Sequence, residues 1–551
     1  MDYKHELKLL ISGQVESSEE TLEKYSRDAS LFKVMPECVV FPKNVSDIEK
    51  VVSFVASNKK ENPKLSITAR AGGSCMAGGS LNESIILDTK KYINGTRSWG
   101  NDYAVVSAGT MYRDFEKESL ARDLLLPCFT ASKNMNAIGG MVGNNSAGEK
   151  TLKYGKMEKY IRRSKMVFAD GKERLVEPLF EDALEAKKKQ NDFEGQIYRE
   201  LDELIESNKE LIEKARPNVS KNSAGYYLWN VKQNGVFDLN KLIVGAQGTL
   251  GITTEVEIGL VKPSAKSKML VIFLKKLDNL GEIVNEILKE NPETLESYDD
   301  STLRFSIKYL PELLKLMKAK SFFKMAISFI PEVLMFLKGG LPKLVLLVEF
   351  TGDSDDALEK SAEKVRDSLK RFHTSTHITG SALEEEKYMT IRRESFNLLR
   401  KHVHGKRTAP FIDDVIVRPE FLPEFLPKLR AILDKYKLFY TIAGHAGNGN
   451  FHVIPLMDML DKRNKKIILP ISKEVYSLVH EYHGSITAEH NDGIIRTPFL
   501  EQMYGTEIIG LFRKTKNIFD PQNIFNPGKK VGGFAMDLGS FEYIENHIVS
   551  S

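Results

Sequence analysis

Two histidines and one glutamate have the types and spacing of a metal centre. His445 and His452 lie seven residues apart in the stretch TIAGHAGNGNFHVIP, and the glycines between them permit the chain to fold back. Glu489 and His490 follow in the stretch ITAEHNDGIIRTPFL. Two neutral imidazoles with one carboxylate form a catalytic type of ligand set that leaves positions open for a substrate. The alternative is a pair of histidines whose ring nitrogens are satisfied by backbone groups in a buried loop.

Glu489 and His490 are adjacent in the chain, which limits the directions that their side chains can take. If both lie on a strand, their side chains point to opposite faces, so one can face a metal while the other faces a substrate. The acidic pair Asp413 and Asp414, in PFIDDVIV, could support this site from behind, although a role at a strand edge or in capping is favoured. These segments therefore indicate a metal-assisted reaction, with the ligand set still open at this point.

Three glycine-rich loops in the first half of the chain could hold a phosphate group. The loop ITARAGGSCMAGGS (67–80) has four glycines within eight residues, so its backbone N–H groups can approach a pyrophosphate closely. The stretches NAIGGMVGNNSAGEKTLKYG (136–155) and VGAQGTLGITTEVEI (244–258) are also polar and glycine-dense. The sequence has neither a Rossmann fingerprint nor a Walker lysine, and any one loop alone could be a surface turn.

The elements that must position these residues form an α+β pattern in two domains. Short β-branched runs alternate with helical patterns in the first domain, and a new unit begins near Ala265. We expect strands at KMLVIFLKKLDN and LVLLVEFT, a helix over 355–371, and a solvated, charged helical excursion over 181–215. The predicted units are a helical arm at 1–34, a first domain at 35–264, a second domain at 265–482 and a C-terminal segment at 483–551.

Composition argues against several classes of protein. The chain has 551 residues and a formal net charge of +4, so no nucleic acid is expected as a partner. Its three cysteines, Cys38, Cys75 and Cys128, are too few for an iron–sulfur cluster and do not suggest a disulfide framework. The first residues lack the apolar core of a signal peptide, and no window of about 18 apolar residues predicts a membrane span. We therefore expect a cytoplasmic protein.

The order of the glycine loops resembles the FAD-binding domain of the vanillyl-alcohol-oxidase superfamily. The stretches RAGGSCMAGG, PCFTASKNMNAIGGMVGNNSAG and GAQGTLGIT carry this resemblance. The C-terminal part resembles the superfamily's FAD-linked oxidase branch, which holds D-lactate, glycolate and D-2-hydroxyglutarate dehydrogenases. The resemblance spans about residues 36–530 and implies an α+β fold, with a two-subdomain PCMH-type FAD-binding domain and a substrate-binding cap domain built on an antiparallel sheet. The C-terminal segment is expected to return to the FAD domain.

The resemblance also implies which residues contact FAD. The first loop would wrap the pyrophosphate, the second would line the cofactor and the third would approach the adenosine. Ser74 stands where some relatives carry a histidine that tethers FAD, so non-covalent FAD is expected, and the neighbouring Cys75 is interpreted as a packing residue. The implied FAD residues are Arg70, Gly72, Gly73, Ser74, Gly78, Gly79, Pro127, Ser132, Gly139, Gly140, Asn144, Gly148, Gly248, Thr249, Ile252 and Asn526.

The same resemblance implies roles for the histidine-rich segments. His445, His452 and Glu489 would bind a divalent metal, with zinc as first candidate and manganese or iron as alternatives, and His490 would be the catalytic base. Arg393, in the helical pattern YMTIRRESFNLLRK, would bind the substrate carboxylate; without the resemblance it would be interpreted as a surface arginine. The implied reaction is oxidation of a D-2-hydroxy acid, with D-lactate and D-2-hydroxyglutarate as first candidates. A metal-dependent hydrolase with a nucleotide-like ligand and a non-catalytic flavin-binding module remain as alternatives.

Electrons must leave the flavin for a partner outside this chain. Because three cysteines cannot hold a cluster, the acceptor would be a separate iron–sulfur protein, an electron-transfer flavoprotein or a quinone. The segment 309–341 mixes Leu, Met and Phe with lysines, so it could pack inward, which is favoured, or contact the inner face of a membrane. Dehydrogenase rather than oxidase behaviour is expected.

Overall fold

The computed structural model describes residues 3–309, 311–313, 340–402, 405–532 and 540–549, and its first sheet has four strands. Three of them are parallel, and the fourth, from the N-terminal arm, is antiparallel to its neighbour. The arm was expected to be helical throughout, and this expectation is wrong for Gln14–Glu16. Its backbone pairs with the strand after the arm, so the arm is part of the first sheet. In sheet order the strands are Gln14–Glu16, Cys38–Phe41, Ile85–Asp88 and Ile67–Arg70.

The second sheet is antiparallel and has five strands. The first glycine loop leaves the end of Ile67–Arg70 in the first sheet, and the third glycine loop runs into Ile252–Gly259 in the second. Both loops therefore start or end on backbone that is held by strand pairing. In sheet order the strands are Thr96–Trp99, Tyr103–Ser107, Ile252–Gly259, Ile161–Val167 and Glu173–Val176, and a separate pair comprises Lys232–Gln233 and Val236–Phe237.

Polar side chains cap several helices of this half. The Asn44 side chain accepts a hydrogen bond from the Asp47 N–H at 3.0 Å, and the Asp192 side chain accepts one from the Gly195 N–H at 2.9 Å. The helices up to residue 260 are Tyr3–Leu10, Glu19–Tyr25, Val45–Asn58, Tyr112–Leu120, Ile138–Asn144, Thr151–Tyr154, Glu181–Lys188, Phe193–Ser207, Lys209–Ala215, Leu228–Val231 and Asn240–Ile243, with a 3-10 turn at Met157–Lys159.

The helical segment 181–215 is present, but it is not a solvated excursion. Helix Phe193–Ser207 buries Ile197, Tyr198 and Leu201, which belong to the main hydrophobic core. It packs on the long helix Leu500–Phe519 near the end of the chain. The high charge of the segment was misleading because most of its charged residues lie on the outer side, and the buried carboxylates Glu194 and Asp202 are paired with lysines.

The third sheet belongs to the second half of the chain and is antiparallel throughout. The predicted strands at KMLVIFLKKLDN and LVLLVEFT are confirmed as Lys266–Leu274 and Leu344–Gly352, and the predicted helix over 355–371 is confirmed as Asp355–Ser368 with a following 3-10 turn. The α+β fold class is thereby confirmed. In sheet order the strands are Ser375–Ile378, Lys266–Leu274, Leu344–Gly352, Thr294–Asp299, Phe439–His445, Asn450–Met457 and Arg407–Thr408, and Val415–Ile416 also pairs with Asn450–Met457.

The two faces of the third sheet bury different clusters because side chains alternate along a strand. Leu270 and Ile272 pack in the main core, whereas Met269 and Val271 pack in a second cluster with residues of helix Ala382–His402. The remaining helices of this half are Leu280–Leu288, Asp300–Lys308, Leu422–Lys435, Lys462–Glu481, Gly493–Arg496, Leu500–Phe519 and Phe541–His547, with 3-10 turns at Leu369–Phe372, Pro419–Phe421, Ala446–Asn448 and Thr497–Phe499.

Most of the segment considered for membrane contact lies outside the described residues. The segment 309–341, for which inward packing or membrane contact was considered, lies outside the described residues at 310 and 314–339. Leu313 is described, and it is buried in the second cluster of the third sheet. None of the described helices combines the length and hydropathy that a bilayer crossing needs.

Candidate active site

His445 and His452 lie on one hairpin of the third sheet. His445 ends the strand Phe439–His445, a short 3-10 turn follows, and His452 lies near the start of Asn450–Met457. In the register of this hairpin His452 is opposite Ala443, which is two residues before His445, so both histidines are on the same face. Gly449 in the turn has a positive φ of 72°, and a Cβ there would lie 1.9 Å from the Val417 carbonyl oxygen. The predicted turn between the two histidines is confirmed.

Two buried carboxylates hold the histidine rings. Glu296 Oε1 is 2.7 Å from His445 Nδ1, and Asp413 Oδ1 is 3.1 Å from His452 Nδ1. The other oxygen of Asp413 is 2.7 Å from His490 Nδ1. Asp413 therefore lies behind the histidines, and the strand-edge or capping role favoured for it is wrong. Glu296 was missed, although a glutamate inside the strand pattern LESYD was a usable signal because a buried charge needs a partner.

The segment with Glu489 and His490 is a loop rather than a strand, so the expectation based on strand alternation is wrong. Asp414 Oδ2 accepts hydrogen bonds from the backbone N–H groups of both residues and from the Thr487 hydroxyl, each at 2.7 Å. These bonds turn both side chains toward the hairpin. The His490 and His452 rings stack with centroids 5.1 Å apart and planes inclined by 19°.

The clustered side chains fit a divalent metal. His445 Nε2 is 3.1 Å from Glu489 Oε1, and one donor atom from each of Asp414, His452, Glu489 and His490 lies within 4.8 Å of the others. Because both oxygens of Asp414 already accept hydrogen bonds, we consider His445 the better third donor beside His452 and Glu489. Metal-binding histidines commonly give their second ring nitrogen to a carboxylate, as both hairpin histidines do here.

Lys221 was missed by the sequence reading. Its ammonium group is fully buried and forms an ion pair with Glu489 Oε1. The positive charge of Lys221 therefore already compensates the negative charge of Glu489. The surrounding stretch VSKNSAGYY gave no charge pattern that pointed to a partner more than 260 positions away.

Compensating charges shift the pKa values of the cluster. Burial alone would raise the pKa of Glu489, but Lys221 and then His445 hold it well below its usual range. Burial alone would lower the pKa of His445, but the Glu296 carboxylate outweighs burial and raises it. For His490 the Asp413 and Asp414 carboxylates outweigh burial and raise the pKa to about 9. The site is a network in which buried charges are compensated by an opposite charge or, for Asp414, by several hydrogen bonds.

The cluster opens into a crevice of about 750 Å³ that also meets all three glycine loops. Two loops approach closely: a Cβ on Gly72 would lie 2.3 Å from the Met135 carbonyl oxygen, so only glycine fits there. The side-chain amide of Gln247 in the third loop donates a hydrogen bond to the side-chain oxygen of Asn144 in the second loop, at 3.2 Å. The predicted FAD residues that line the crevice are Arg70, Gly72, Gly73, Ser74, Gly79, Ser132, Gly139, Gly140, Asn144, Gly148 and Gly248.

Arg70 lines the crevice, and its guanidinium group is held by the N-terminal arm. Its two terminal nitrogens donate hydrogen bonds to the carbonyl oxygens of Tyr25 and Arg27, at 3.1 and 2.7 Å. The guanidinium carbon lies 5.2 Å from the centroid of the Tyr25 ring. The Arg70 side chain therefore anchors the N-terminal arm to the first loop.

The other predicted FAD residues do not line the crevice, and two of them make hydrogen bonds that hold the loops. The Asn526 amide donates to the carbonyl oxygens of Gly79 and Gln247, at 2.9 and 2.7 Å, so it joins the first and third loops. The Thr249 hydroxyl donates to the Ala246 carbonyl at 2.7 Å. The residues in this position are Gly78, Pro127, Thr249, Ile252 and Asn526.

Arg392 and Arg393 of helix Ala382–His402 line the crevice, and each is paired with a carboxylate. Arg392 Nε lies 2.5 Å from Glu296 Oε2, so it supports the carboxylate that holds His445. Arg393 Nε donates to Glu149 Oε2 at 3.1 Å, and a second guanidinium nitrogen pairs with Glu149 Oε1. The structure thus brings Arg393 to the same crevice as the histidines. Glu149 was missed by the sequence reading.

Comparison with protein families places the two halves of the site in two known domains. Residues 36–176 match the family model described as an FAD binding domain. Residues 263–530 match the family model described as the C-terminal domain of FAD linked oxidases. The glycine loops before residue 176 fall in the first match, and His445, His452, Glu489 and His490 fall in the second.

Individual relatives agree with these domains. D-2-hydroxyglutarate dehydrogenase of Pseudomonas putida is 28% identical over 541 residues, covering 96% of this chain and 51% of that protein. D-lactate dehydrogenase of Archaeoglobus fulgidus is 24% identical, with 90% of this chain and 91% of that protein covered. The structure of p-cresol methylhydroxylase with substrate bound has a TM-score of 0.67 and 16% identity, covers 97% of each chain, and confirms the predicted fold. The chain spans about half the length of the Pseudomonas relative.

Proposed function

We propose that this chain, a member of the FAD-linked oxidases with an FAD-binding domain followed by their C-terminal domain, oxidises a D-2-hydroxy acid to the 2-oxo acid. The observation that carries the proposal is one crevice lined by the glycine loops and by His445, His452, Glu489 and His490. A hydride passes only between molecules in contact, and a shared crevice permits that contact. The relatives named D-2-hydroxyglutarate and D-lactate dehydrogenase support this reaction class.

His490 is the proposed base for the substrate hydroxyl. Its Nδ1 lies 2.7 Å from Asp413, which leaves Nε2 as the atom that accepts the proton. Asp413 keeps the ring in one tautomer and compensates the positive charge that the ring gains with the proton. The stacked His452 ring limits rotation of His490, so the accepting atom keeps its direction.

FAD and a divalent cation are the proposed cofactors. When bound, FAD supplies the hydride acceptor, and the cation supplies a Lewis acid that lowers the pKa of the substrate hydroxyl. His445, His452 and Glu489 would hold the cation, with zinc as first candidate and manganese or iron as alternatives. Positive charge at Glu489 would also lower the pKa of His490 from about 9, because like charges in close proximity disfavour the protonated ring.

Arg393 is the proposed partner of the substrate carboxylate. A planar guanidinium group donates two parallel hydrogen bonds, which match the two oxygens of a carboxylate. Arg392 is less suited because its partner Glu296 is fully buried and also holds His445, so displacing it would disturb the histidine. We further propose that reduced FAD passes its electrons to a separate iron–sulfur protein, an electron-transfer flavoprotein or a quinone, with dehydrogenase rather than oxidase behaviour.

Anaerobic reduction of the flavin tests the proposal directly. Purified holoenzyme is mixed with a panel of D- and L-2-hydroxy acids, and the flavin absorbance is followed without oxygen. We expect D-2-hydroxy acids, with D-lactate and D-2-hydroxyglutarate as first candidates, to bleach the flavin faster than their L-isomers. A protein without flavin absorbance but with bound metal would favour a metal-dependent hydrolase, and a yellow protein that no hydroxy acid bleaches would favour a non-catalytic flavin-binding module.

A further inference from the structure

An ion pair across the crevice occupies the arginine proposed for substrate binding. Glu149 lies within the second glycine loop, and Arg393 belongs to helix Ala382–His402. Arg393 Nε donates to one Glu149 oxygen at 3.1 Å, and a second guanidinium nitrogen pairs with the other oxygen. This is the two-bond arrangement that a substrate carboxylate would make. Glu149 therefore competes with the substrate for the same guanidinium group.

The other basic side chains that line the crevice are also matched. Lys133 Nζ lies 2.8 Å from Glu116 Oε1, and Lys150 forms an ion pair with Glu293. Arg392 is held by Glu296, and the guanidinium group of Arg70 donates to two backbone carbonyls. Among the side chains that the structure describes along this crevice, each lysine and arginine thus already has an acidic or carbonyl partner.

Two further carboxylates, Glu293 and Glu349, belong to the neighbourhood of the Glu149–Arg393 pair. Glu293 accepts from Lys150 and Lys153, and Glu349 lies in the next strand opposite Thr294. Burial raises the pKa of Glu349 to about 7, and the Glu293 and Glu149 carboxylates add to this effect while Lys150 opposes it. A substrate carboxylate that takes Arg393 leaves Glu149 without its partner among these acids. A second substrate carboxylate would add a further negative charge to the same region.

We propose that Glu149 is a specificity-determining residue that selects 2-hydroxy acids with one carboxylate over those with two. The inference rests on the proposed function, because it assigns the substrate class of that same site. Glu149 matches the charge of Arg393 in the free enzyme, so one substrate carboxylate can replace it, whereas a second carboxylate meets repulsion from the displaced Glu149. Neutralising Glu149 frees Arg393 and removes this repulsion.

Binding of 2-oxo acids to the oxidised holoenzyme tests the inference without turnover. Pyruvate carries one carboxylate and 2-oxoglutarate carries two, and each is titrated while the flavin absorbance is monitored. We expect wild-type protein to bind pyruvate more tightly. In Glu149→Gln the dissociation constant should fall roughly fivefold for pyruvate and roughly thirtyfold for 2-oxoglutarate. Both ligands gain from the freed Arg393, but only 2-oxoglutarate also gains from the loss of repulsion between Glu149 and its second carboxylate. Glu149→Asp keeps the charge and should keep the wild-type preference.

Asp102→Asn is the matched control. Asp102 forms an exposed ion pair with Arg162 at 2.6 Å in the first domain, away from the crevice, so the same change of charge there should leave both dissociation constants unchanged. An unchanged ratio of the two constants in Glu149→Gln, or a wild-type preference for 2-oxoglutarate, would overturn the inference alone. If neither 2-oxo acid perturbs the flavin and no D-2-hydroxy acid bleaches it, the proposed function itself fails and this inference fails with it.

Discussion

Replacing Asp413 with asparagine should slow the reaction strongly while leaving the binding of FAD intact. Asp413 is fully buried and uses one oxygen for His452 Nδ1, at 3.1 Å, and the other for His490 Nδ1, at 2.7 Å. Asparagine has nearly the same shape, so the packing around it changes little. It has only one accepting oxygen and no charge, and its amide nitrogen would face one of the two ring nitrogens.

The size of the effect follows from these two contacts. A hydrogen bond to a charged group contributes about 1.5–3 kcal/mol. Asp413 makes one with His452 Nδ1 and a close charge contact with His490 Nδ1, and asparagine can keep only the hydrogen bond, in a weaker, neutral form. We therefore expect a loss of roughly 3 kcal/mol in the reaction step, which corresponds to about a 100-fold lower kcat. An effect of this size agrees with the 10- to 100-fold losses typical for a residue that orients metal-binding or catalytic histidines.

The assay is the rate of anaerobic flavin reduction at saturating D-2-hydroxy acid, with FAD and metal content measured on the same sample. Asp299→Asn is the control, because Asp299 is equally buried, caps a helix through the Thr302 N–H at 2.9 Å and does not line the crevice. Asparagine is an equally good cap, so kcat should change less than about twofold there. A kcat within about twofold of wild type in Asp413→Asn, at equal FAD content, would refute the reasoning.

Three further predictions concern metal, pH and stability. Treatment with a chelator should abolish flavin reduction without releasing FAD, and added zinc, manganese or iron should restore it; full activity in protein free of metal would contradict the assignment of His445, His452 and Glu489. The pKa of Glu349 is raised to about 7 from an ordinary 4.5, so its protonated form stabilises the fold fully below about pH 4.5, and this contribution is lost as the pH rises toward 7. The side chain is partly exposed, so we expect a loss on the order of 1 kcal/mol in the urea unfolding free energy between pH 5 and pH 8, which Glu349→Gln should remove. Asn526→Ala should lower the unfolding free energy by about 3 kcal/mol and weaken FAD binding, because it leaves two buried carbonyls and the Thr68 hydroxyl without their partner; an unchanged Tm would show that the loops do not depend on this amide.

The sequence identified the residues proposed to bind metal and substrate more reliably than the residues that hold them in place. His445, His452, Glu489, His490 and Arg393 were singled out from residue types, spacing and resemblance, and all of them line one crevice. Their roles remain proposals, but the proximity that those roles require is present. The strands Lys266–Leu274 and Leu344–Gly352 were also predictable, because continuous apolar runs of that length favour buried strands.

The errors share one physical cause. Glu296, Lys221, Asp413 and Glu149 act through partners that are far away in the chain, and the local pattern around each residue does not contain that partner. The stretch ITAEHNDG was interpreted as a possible strand, whereas its conformation depends on Asp414, which accepts two of its backbone N–H groups. Likewise, the helices of 181–215 appeared solvated because the helix that covers them, Leu500–Phe519, lies almost 300 residues later.

The amino-acid sequence by itself determined the local conformations and the chemical inventory: glycines where backbones approach closely, imidazoles and carboxylates on short turns, and alternating apolar strands. Only the tertiary structure decided which charge faces which. Ion pairs and hydrogen bonds act over a few ångströms in space regardless of separation along the chain, so the pairing of Arg393 with Glu149 and of Glu489 with Lys221 exists only in the folded chain.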